Sequence, residues 1–188
     1  MQKLILNKKT RILEVAIVVI VILVGAGLRI LPHLPNFAPI VAIALFSGVY
    51  FSKKVALILP LAAMIISDIF IGYYDLKLMA TVYGSFLLIT LLGVWLKGHK
   101  KWPVILGSSL VGSLTFFFLT NLAAWAFTPW YAKTLSGILQ CYLMALPFFR
   151  NALLGDLFYV IVFFGLYGII EILVQKRIRI FKTVNFLA

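Results

Sequence analysis

Six apolar runs with almost no charge constrain this chain more than any other feature of its sequence. They cover residues 12–30, 37–51, 55–71, 78–96, 104–127 and 152–174. A helix that spans a bilayer needs roughly 20 consecutive apolar residues, and all but the second run approach this length. Charged residues form only 12% of the chain, whereas a soluble domain has about 25%. The sequence therefore predicts an all-α polytopic membrane protein, a single domain built as a bundle of six transmembrane helices.

The second run, residues 37–51, is short for a spanning helix. At about 1.5 Å per residue it reaches only about 22 Å. Backbone polar groups cannot face lipid without partners. We therefore expect neighbouring helices to shelter this segment, or the backbone of the adjoining loop to complete it.

The lysines and arginines predict the orientation of the bundle. Of the 17 in the chain, 13 lie at the two termini and in the turns at 52–54 and 97–101, which share one side when there are six crossings. The positive-inside rule then predicts that both termini lie in the cytoplasm. The net charge of +12 is explained by this topology, so the lipid bilayer, and not nucleic acid, is the expected partner.

Ionisable and amide side chains in the outward half of the runs are the candidate binding groups. Asp68 and Asp156 lie there, where an isolated carboxylate is costly unless it is paired or faces water. Arg29 and Arg150 lie at the same depth, so the carboxylates either pair with these arginines as contacts between helices or line a cavity that opens outward. Asn121 follows a wholly apolar stretch, and we expect its amide to bond to another helix or to a ligand.

The outward segment 128–151 is predicted to be a long loop rich in aromatic residues. Pro129 and Pro147 bracket it, and residues 135–146 within it form either a short helix at the membrane interface or a lid. Trp125, at the end of the fifth run, belongs either to the aromatic belt at the headgroups or to a ligand contact.

Other polar groups at this level also have two interpretations. Asn36 and Asn151 either cap helices or contact a ligand, and His33 is either a structural loop residue or part of the site. The full set predicted to bind substrate is Arg29, His33, Asn36, Asp68, Tyr83, Asn121, Trp125, Tyr131, Asn151, Asp156 and Tyr159.

We predict neither catalysis nor a bound cofactor. The sequence has no Gly-x-Ser-x-Gly elbow, no His-Glu-x-x-His pair and no Walker-type glycine loop. A single cysteine excludes a multi-cysteine metal site. His33 and Cys141 both lie on the outward side, and either could ligate the cobalt of a corrinoid; the alternative is that Cys141 is an inert apolar residue.

Several motifs in order along the chain resemble an uncharacterised group of bacterial six-helix membrane proteins. They are RILPHLPNFAPIVAIALFSG (29–48), PLAAMIISD (60–68), VYG (82–84), FFFLTNLAAW (116–125) and ALPFFRNALLGDLFY (145–159). This group is in turn similar to the substrate-capture S components of energy-coupling factor (ECF) vitamin transporters. The resemblance implies an S-component-like bundle that binds a vitamin-like small molecule between its outer loops and helices 4–6.

The sequence leaves two alternatives for the function and two for the partners. The chain either captures and takes up a small molecule, or serves as a non-transporting membrane scaffold with the same bundle. S components commonly present an Ala-x-x-x-Ala spacing on the first helix to their energising module, and residues 15–28 lack it. The protein therefore works either alone or with a separate energising ATPase module.

Overall fold

The computed structural model describes the backbone of residues 2–187 and the side chains of residues 15–173 and 176. The side chains of most terminal lysines and arginines counted for the orientation are not among those described. Six helices form, and no strand occurs in the described backbone. They are α1 (Gln2–Ile30), α2 (Ile40–Tyr50), α3 (Lys53–Ile71), α4 (Leu76–Leu96), α5 (Trp102–Phe127) and α6 (Leu135–Leu187).

The helices have the length and surface of a membrane bundle. Four are long and apolar enough by themselves to cross a bilayer, namely α3, α4, α5 and the part of α6 from Leu135 to Leu173. The described apolar part of α1, Val15–Ile30, and the whole of α2 are shorter. Large apolar side chains such as Ile58 and Leu166 are exposed on the outside of the bundle, where lipid would cover them. The predicted all-α membrane fold with six helices is confirmed.

The short helix α2 lies at the centre of the bundle. Every residue from Ile40 to Val49 is buried, so neighbouring helices provide the shelter that this segment requires. Gly48 lies against the backbone of α4: a Cβ atom at this position would lie only 2.5 Å from the carbonyl carbon of Gly93. Two facing glycines therefore let the backbones of α2 and α4 come into direct contact.

α2 begins well below the ends of its neighbours on one side of the bundle, the side that the sequence predicts to face outward and that we call the outer side. Val41, near its start, packs against Gly112 of α5, and Ile89 of α4 lies against the same glycine. Gly112 and Ile89 lie near the middle of their helices. α4 extends outward from there to Leu76, and α5 extends outward to Phe127. The outer side of the bundle therefore has a recess whose floor is the start of α2.

The predicted outward loop 128–151 is mostly helical, which corrects the sequence interpretation. α6 begins at Leu135 and continues through Pro147, so residues 135–146 are neither a separate interfacial helix nor a lid. They pack on the outer end of α5, where the Tyr142 hydroxyl donates to the Phe118 carbonyl at 2.9 Å and the Phe149 ring lies 4.5 Å from that of Phe117. A proline costs a helix one hydrogen bond, and these contacts offset that loss.

Candidate functional site

A cavity of about 240 Å³ lies in the outer recess above the start of α2. All six helices contribute to its wall, together with the loops before α2 and α4. Most of the lining is apolar, and the polar groups are few. The lining residues are Arg29, Asn36, Ala38, Ile40, Val41, Met64, Tyr74, Val82, Phe86, Phe116, Ala152 and Asp156.

Two smaller cavities continue from the first one between α5 and α6. The second, of about 130 Å³, shares Asn36, Phe116 and Ala152 with the first and reaches Asn121. The third, of about 120 Å³, also borders Asn121 and continues outward to Tyr131. A connected series of spaces thus leads from the floor of the recess along the α5–α6 contact.

An ion pair closes one wall of the first cavity. The Arg29 guanidinium of α1 pairs with the Asp68 carboxylate of α3 and also donates to the Ser67 hydroxyl at 2.5 Å. The Tyr83 hydroxyl of α4 donates to the other Asp68 oxygen at 2.6 Å. Asp68 is completely buried, yet both of its oxygens have partners. The sequence left two alternatives for Asp68, a contact between helices or a group that lines a cavity. The structure shows Asp68 in an ion pair that joins two helices.

Tyr74 adds a neutral hydroxyl to the same wall. It lies in the loop between α3 and α4 and borders the first cavity. Burial and the nearby Asp68 carboxylate raise the pKa of Tyr74 to about 12, although the Arg29 guanidinium acts in the opposite direction. The phenol is therefore uncharged at physiological pH and is available for hydrogen bonding.

Asp156 lies on the opposite wall and has a different environment. It is 4% exposed, and the Ser113 hydroxyl of α5 donates to its Oδ2 atom at 2.6 Å. The only ion pair among the described side chains is that of Arg29 with Asp68, so Asp156 has no cationic partner there. Arg150, a candidate partner from the sequence, is exposed and forms no ion pair. Asp156 is thus a buried carboxylate that faces a cavity without a counter-charge.

Asn121 forms a hydrogen bond within its own helix, where the sequence predicted a bond to another helix or to a ligand. Its Nδ2 group donates to the Phe117 carbonyl of its own helix at 2.8 Å. An acceptor one turn back satisfies part of the amide without any contact between helices. The side chain still borders the second and third cavities.

The two other asparagines predicted to bind substrate are not helix caps. Asn36 has a positive φ of 63°, lies before Pro39, which precedes α2, and borders the first two cavities. Asn151 lies in the interior of the continuous α6 and is half-buried. The structure therefore places Asn36 at the cavities, and assigns neither residue the capping role that the sequence allowed.

The aromatic candidates have different positions. Trp125 supports the α5–α6 turn, because its indole N–H donates to the Ala132 carbonyl at 2.9 Å. Tyr131 borders the third cavity. The Tyr159 ring packs edge-on at 5.5 Å from that of Phe37, just beyond Asn36. Of the three, only Tyr131 borders one of the cavities described above.

His33 and Cys141 do not meet in one cavity. His33 is exposed in the loop before α2, with its Nδ1 atom 2.6 Å from the Leu31 carbonyl oxygen, and borders none of the three cavities. Cys141 is 2% exposed and borders the third cavity. Among the described residues, no group of three or more His, Cys, Asp and Glu side chains could hold a metal ion.

Sequence reasoning missed several residues of the site. Ser113, Phe86 and Phe116 are the most important, and Tyr74 was not among the predicted binding residues. A signal for Ser113 exists, since Ser109, Gly112 and Ser113 form a small, polar face on an otherwise apolar helix. Such a face indicates close contact with a neighbouring helix in a membrane bundle.

The model of DUF6580, described as a family of unknown function, matches residues 8–179, which is nearly the whole chain. No curated protein matches the sequence, and no solved structure matches it.

Proposed function

This chain belongs to DUF6580, a family of unknown function, and we propose that it captures a vitamin-like small molecule on the outer side of the membrane for uptake. The observation that carries the proposal is the buried Asp156, which faces the cavity in the recess above α2. Small-molecule sites are concave and mostly apolar, with a few placed polar groups. The recess above α2 has this composition.

The free-energy cost of burying polar groups argues that they have a function beyond packing. Burying a carboxylate in a bundle surrounded by lipid is expensive, and ionisable residues that persist there usually mark a binding site or a transport pathway. A scaffold, the competing function, would pack as well with apolar residues at the positions of Asp156 and Ser113, because isosteric apolar replacement of buried charges is often neutral or stabilising. Asp156 and the Arg29–Asp68 pair instead lie on two walls of one cavity.

The size of the cavities fits a small ligand. The first cavity alone, at about 240 Å³, is slightly below the roughly 300–1,000 Å³ of typical ligand pockets. The adjoining cavity of about 130 Å³ shares three lining residues with it. A molecule of vitamin size would occupy both, with Asn36 and Phe116 at the junction.

The proposal includes the direction of capture. The distribution of basic residues supports cytoplasmic termini, and the resemblance to bacterial six-helix proteins supports a bacterial inner membrane protein. The recess then opens to the outside. The resemblance of the sequence motifs to S components of ECF transporters favours a separate ATPase module as the source of energy for uptake. Capture itself requires only the bundle.

Filling the cavity tests the proposal. Ala152 borders the first two cavities, and Ala152→Trp would fill the space between them. Ala126→Trp is the matched control, because Ala126 is exposed on the outside of α5. We expect mass spectrometry to find the same small molecule with the wild-type protein and with the control, and to find it lost from Ala152→Trp. The same set of molecules from all three purified proteins would contradict capture and favour the scaffold.

A further inference from the structure

We propose that the captured molecule carries a positively charged nitrogen, in an amine or a cationic ring, and that this nitrogen binds at Asp156. The inference rests on the proposed capture function and adds the chemical class of the ligand. It depends on the balance of charges around the first cavity and on the hydrogen bonds of one carboxylate.

The charges that face the cavity leave one carboxylate uncompensated. Arg29 and Asp68 neutralise each other on one wall, and Tyr74 presents an uncharged phenol. Asp156 is the remaining ionisable group among the lining residues. When Asp156 is ionised, the cavity therefore has a net negative charge and attracts a cation.

Asp156 is also poorly supplied with hydrogen-bond donors. The hydroxyl of Ser113 lies 2.6 Å from Asp156 Oδ2 and 3.0 Å from the carbonyl oxygen of Ser109. A serine hydroxyl has a single proton to donate, so these two acceptors compete for it. The Oδ1 atom of Asp156 accepts no hydrogen bond from the described residues. Ser109 Oγ is the one polar side-chain atom among them that is both fully enclosed and without a partner, so Asp156 Oδ1 is not fully enclosed. It therefore remains open to a donor inside the cavity.

The aromatic part of the lining also favours a cation. The rings of Phe86 and Phe116 stack at 5.0 Å with an interplanar angle of 27°, and both border the cavity. The face of an aromatic ring attracts a cation that lies within about 6 Å of its centre. A cationic nitrogen near Asp156 would thus have an anionic partner and aromatic faces in the same space.

The start of α2 weakens the attraction of the cavity for a cation. Ile40 and Val41, at the start of α2, border the cavity, and the start of a helix has the equivalent of roughly half a positive charge. This partial charge helps Asp156 to ionise but does not cancel a full carboxylate. The short α2 therefore reduces the attraction for a cation without reversing it.

Three probes of matched shape test the inference, namely benzylammonium, benzyl alcohol and phenylacetate. They share a ring and differ in charge, and their binding to the purified wild-type protein can be measured by calorimetry in detergent. We expect benzylammonium to bind at least about tenfold more tightly than the alcohol, since attraction between charges is strong in partly buried sites. Phenylacetate should bind most weakly.

Variants assign the preference to one residue. Asp156→Asn, which keeps the shape of the side chain, should remove the preference for the cation. Glu171→Gln is the matched control, since Glu171 is exposed elsewhere on the same helix, and the preference should persist in it. A preference that survives in Asp156→Asn would overturn the proposal. The wild-type comparison needs no variant: equal or tighter binding of the uncharged or anionic probe, or no binding of the cation, would also overturn it.

The two proposals fail in different ways. If a neutral or anionic probe binds the wild-type protein as tightly as benzylammonium or more tightly, and Ala152→Trp abolishes this binding, the capture site stands and the cationic class is wrong. If Ala152→Trp retains every molecule that co-purifies with the wild-type protein, the capture function itself is wrong.

Discussion

Asp68 and Asp156 are two buried carboxylates in one bundle with different surroundings. Asp68 has an arginine and a tyrosine hydroxyl from two other helices, so it ties α1, α3 and α4 together. Asp156 has a single shared hydroxyl. A fully partnered carboxylate contributes to structure, whereas a poorly partnered one is available to a ligand.

The first residue-scale prediction concerns the Arg29–Asp68 pair. Asp68→Asn leaves the guanidinium unpaired, and we expect the free energy of unfolding to fall by about 3 kcal/mol. The double variant Arg29→Met with Asp68→Leu should recover much of this loss, because no buried charge remains. Thermal unfolding of the purified proteins in detergent measures both effects. Asp75→Asn is the control: Asp75 is exposed and caps α4, and asparagine caps equally well. A double variant less stable than Asp68→Asn would contradict this account.

The sequence shows which residues are unusual but not which of them meet. Arg29, Asp68 and Asp156 are conspicuous because charge is costly in apolar runs. The partner of each depends on which helices are neighbours, and the apolar runs do not encode this. The bond of Asn121 to its own helix was missed for a different reason, since an amide in a helix can use the carbonyl one turn back. Ser113 was missed because serines are common in membrane helices.

At the scale of elements, the contact between α2 and α4 depends on Gly48 and Gly93. Gly48→Ala would place a Cβ atom 2.5 Å from backbone atoms of α4, which cannot move as a side chain can. We expect a loss of about 1–3 kcal/mol, typical of overpacking, in the same thermal unfolding assay. Gly107→Ala in α5 is the matched control, since nothing lies within 4 Å of its added Cβ; it should be neutral or slightly stabilising. Equal losses in the two variants would show that the close contact is unimportant.

Two prolines show how far helix positions follow from sequence. Pro60 lies inside an apolar run, and the sequence correctly predicts a helix that continues through it. Pro147 lies in an aromatic segment that begins near another proline, Pro129, and this pattern favours a loop. α6 nevertheless continues through Pro147. The difference arises from packing on α5, which local sequence does not reveal. In a membrane bundle, neighbouring helices can satisfy the groups that a proline frees.

At the scale of the whole molecule, the short second run has the largest consequence. Because α2 is buried and begins below its neighbours, the bundle is hollow on the side opposite the turns at 52–54 and 97–101. The sequence predicts the need for shelter, but the recess arises only from the arrangement of all six helices. The function that we propose therefore requires the hollow side to face outward.

The final prediction tests that orientation with single cysteines. A Cys141→Ser background removes the native thiol, which is buried, and the serine hydroxyl can donate to the Asn121 carbonyl as the thiol does. Ala132→Cys lies in the exposed α5–α6 turn beside the recess, and Lys101→Cys lies in the exposed α4–α5 turn at the other end. The side chain of neither residue takes part in a hydrogen bond among the described residues.

With six crossings, 13 of the 17 basic residues share the side of Lys101, so this side should be cytoplasmic. In intact cells, a membrane-impermeant maleimide should label Ala132→Cys, and Lys101→Cys only after permeabilisation. The reverse pattern would turn the recess toward the cytoplasm and exclude capture from outside, and labelling of both from outside would reject the six-crossing topology.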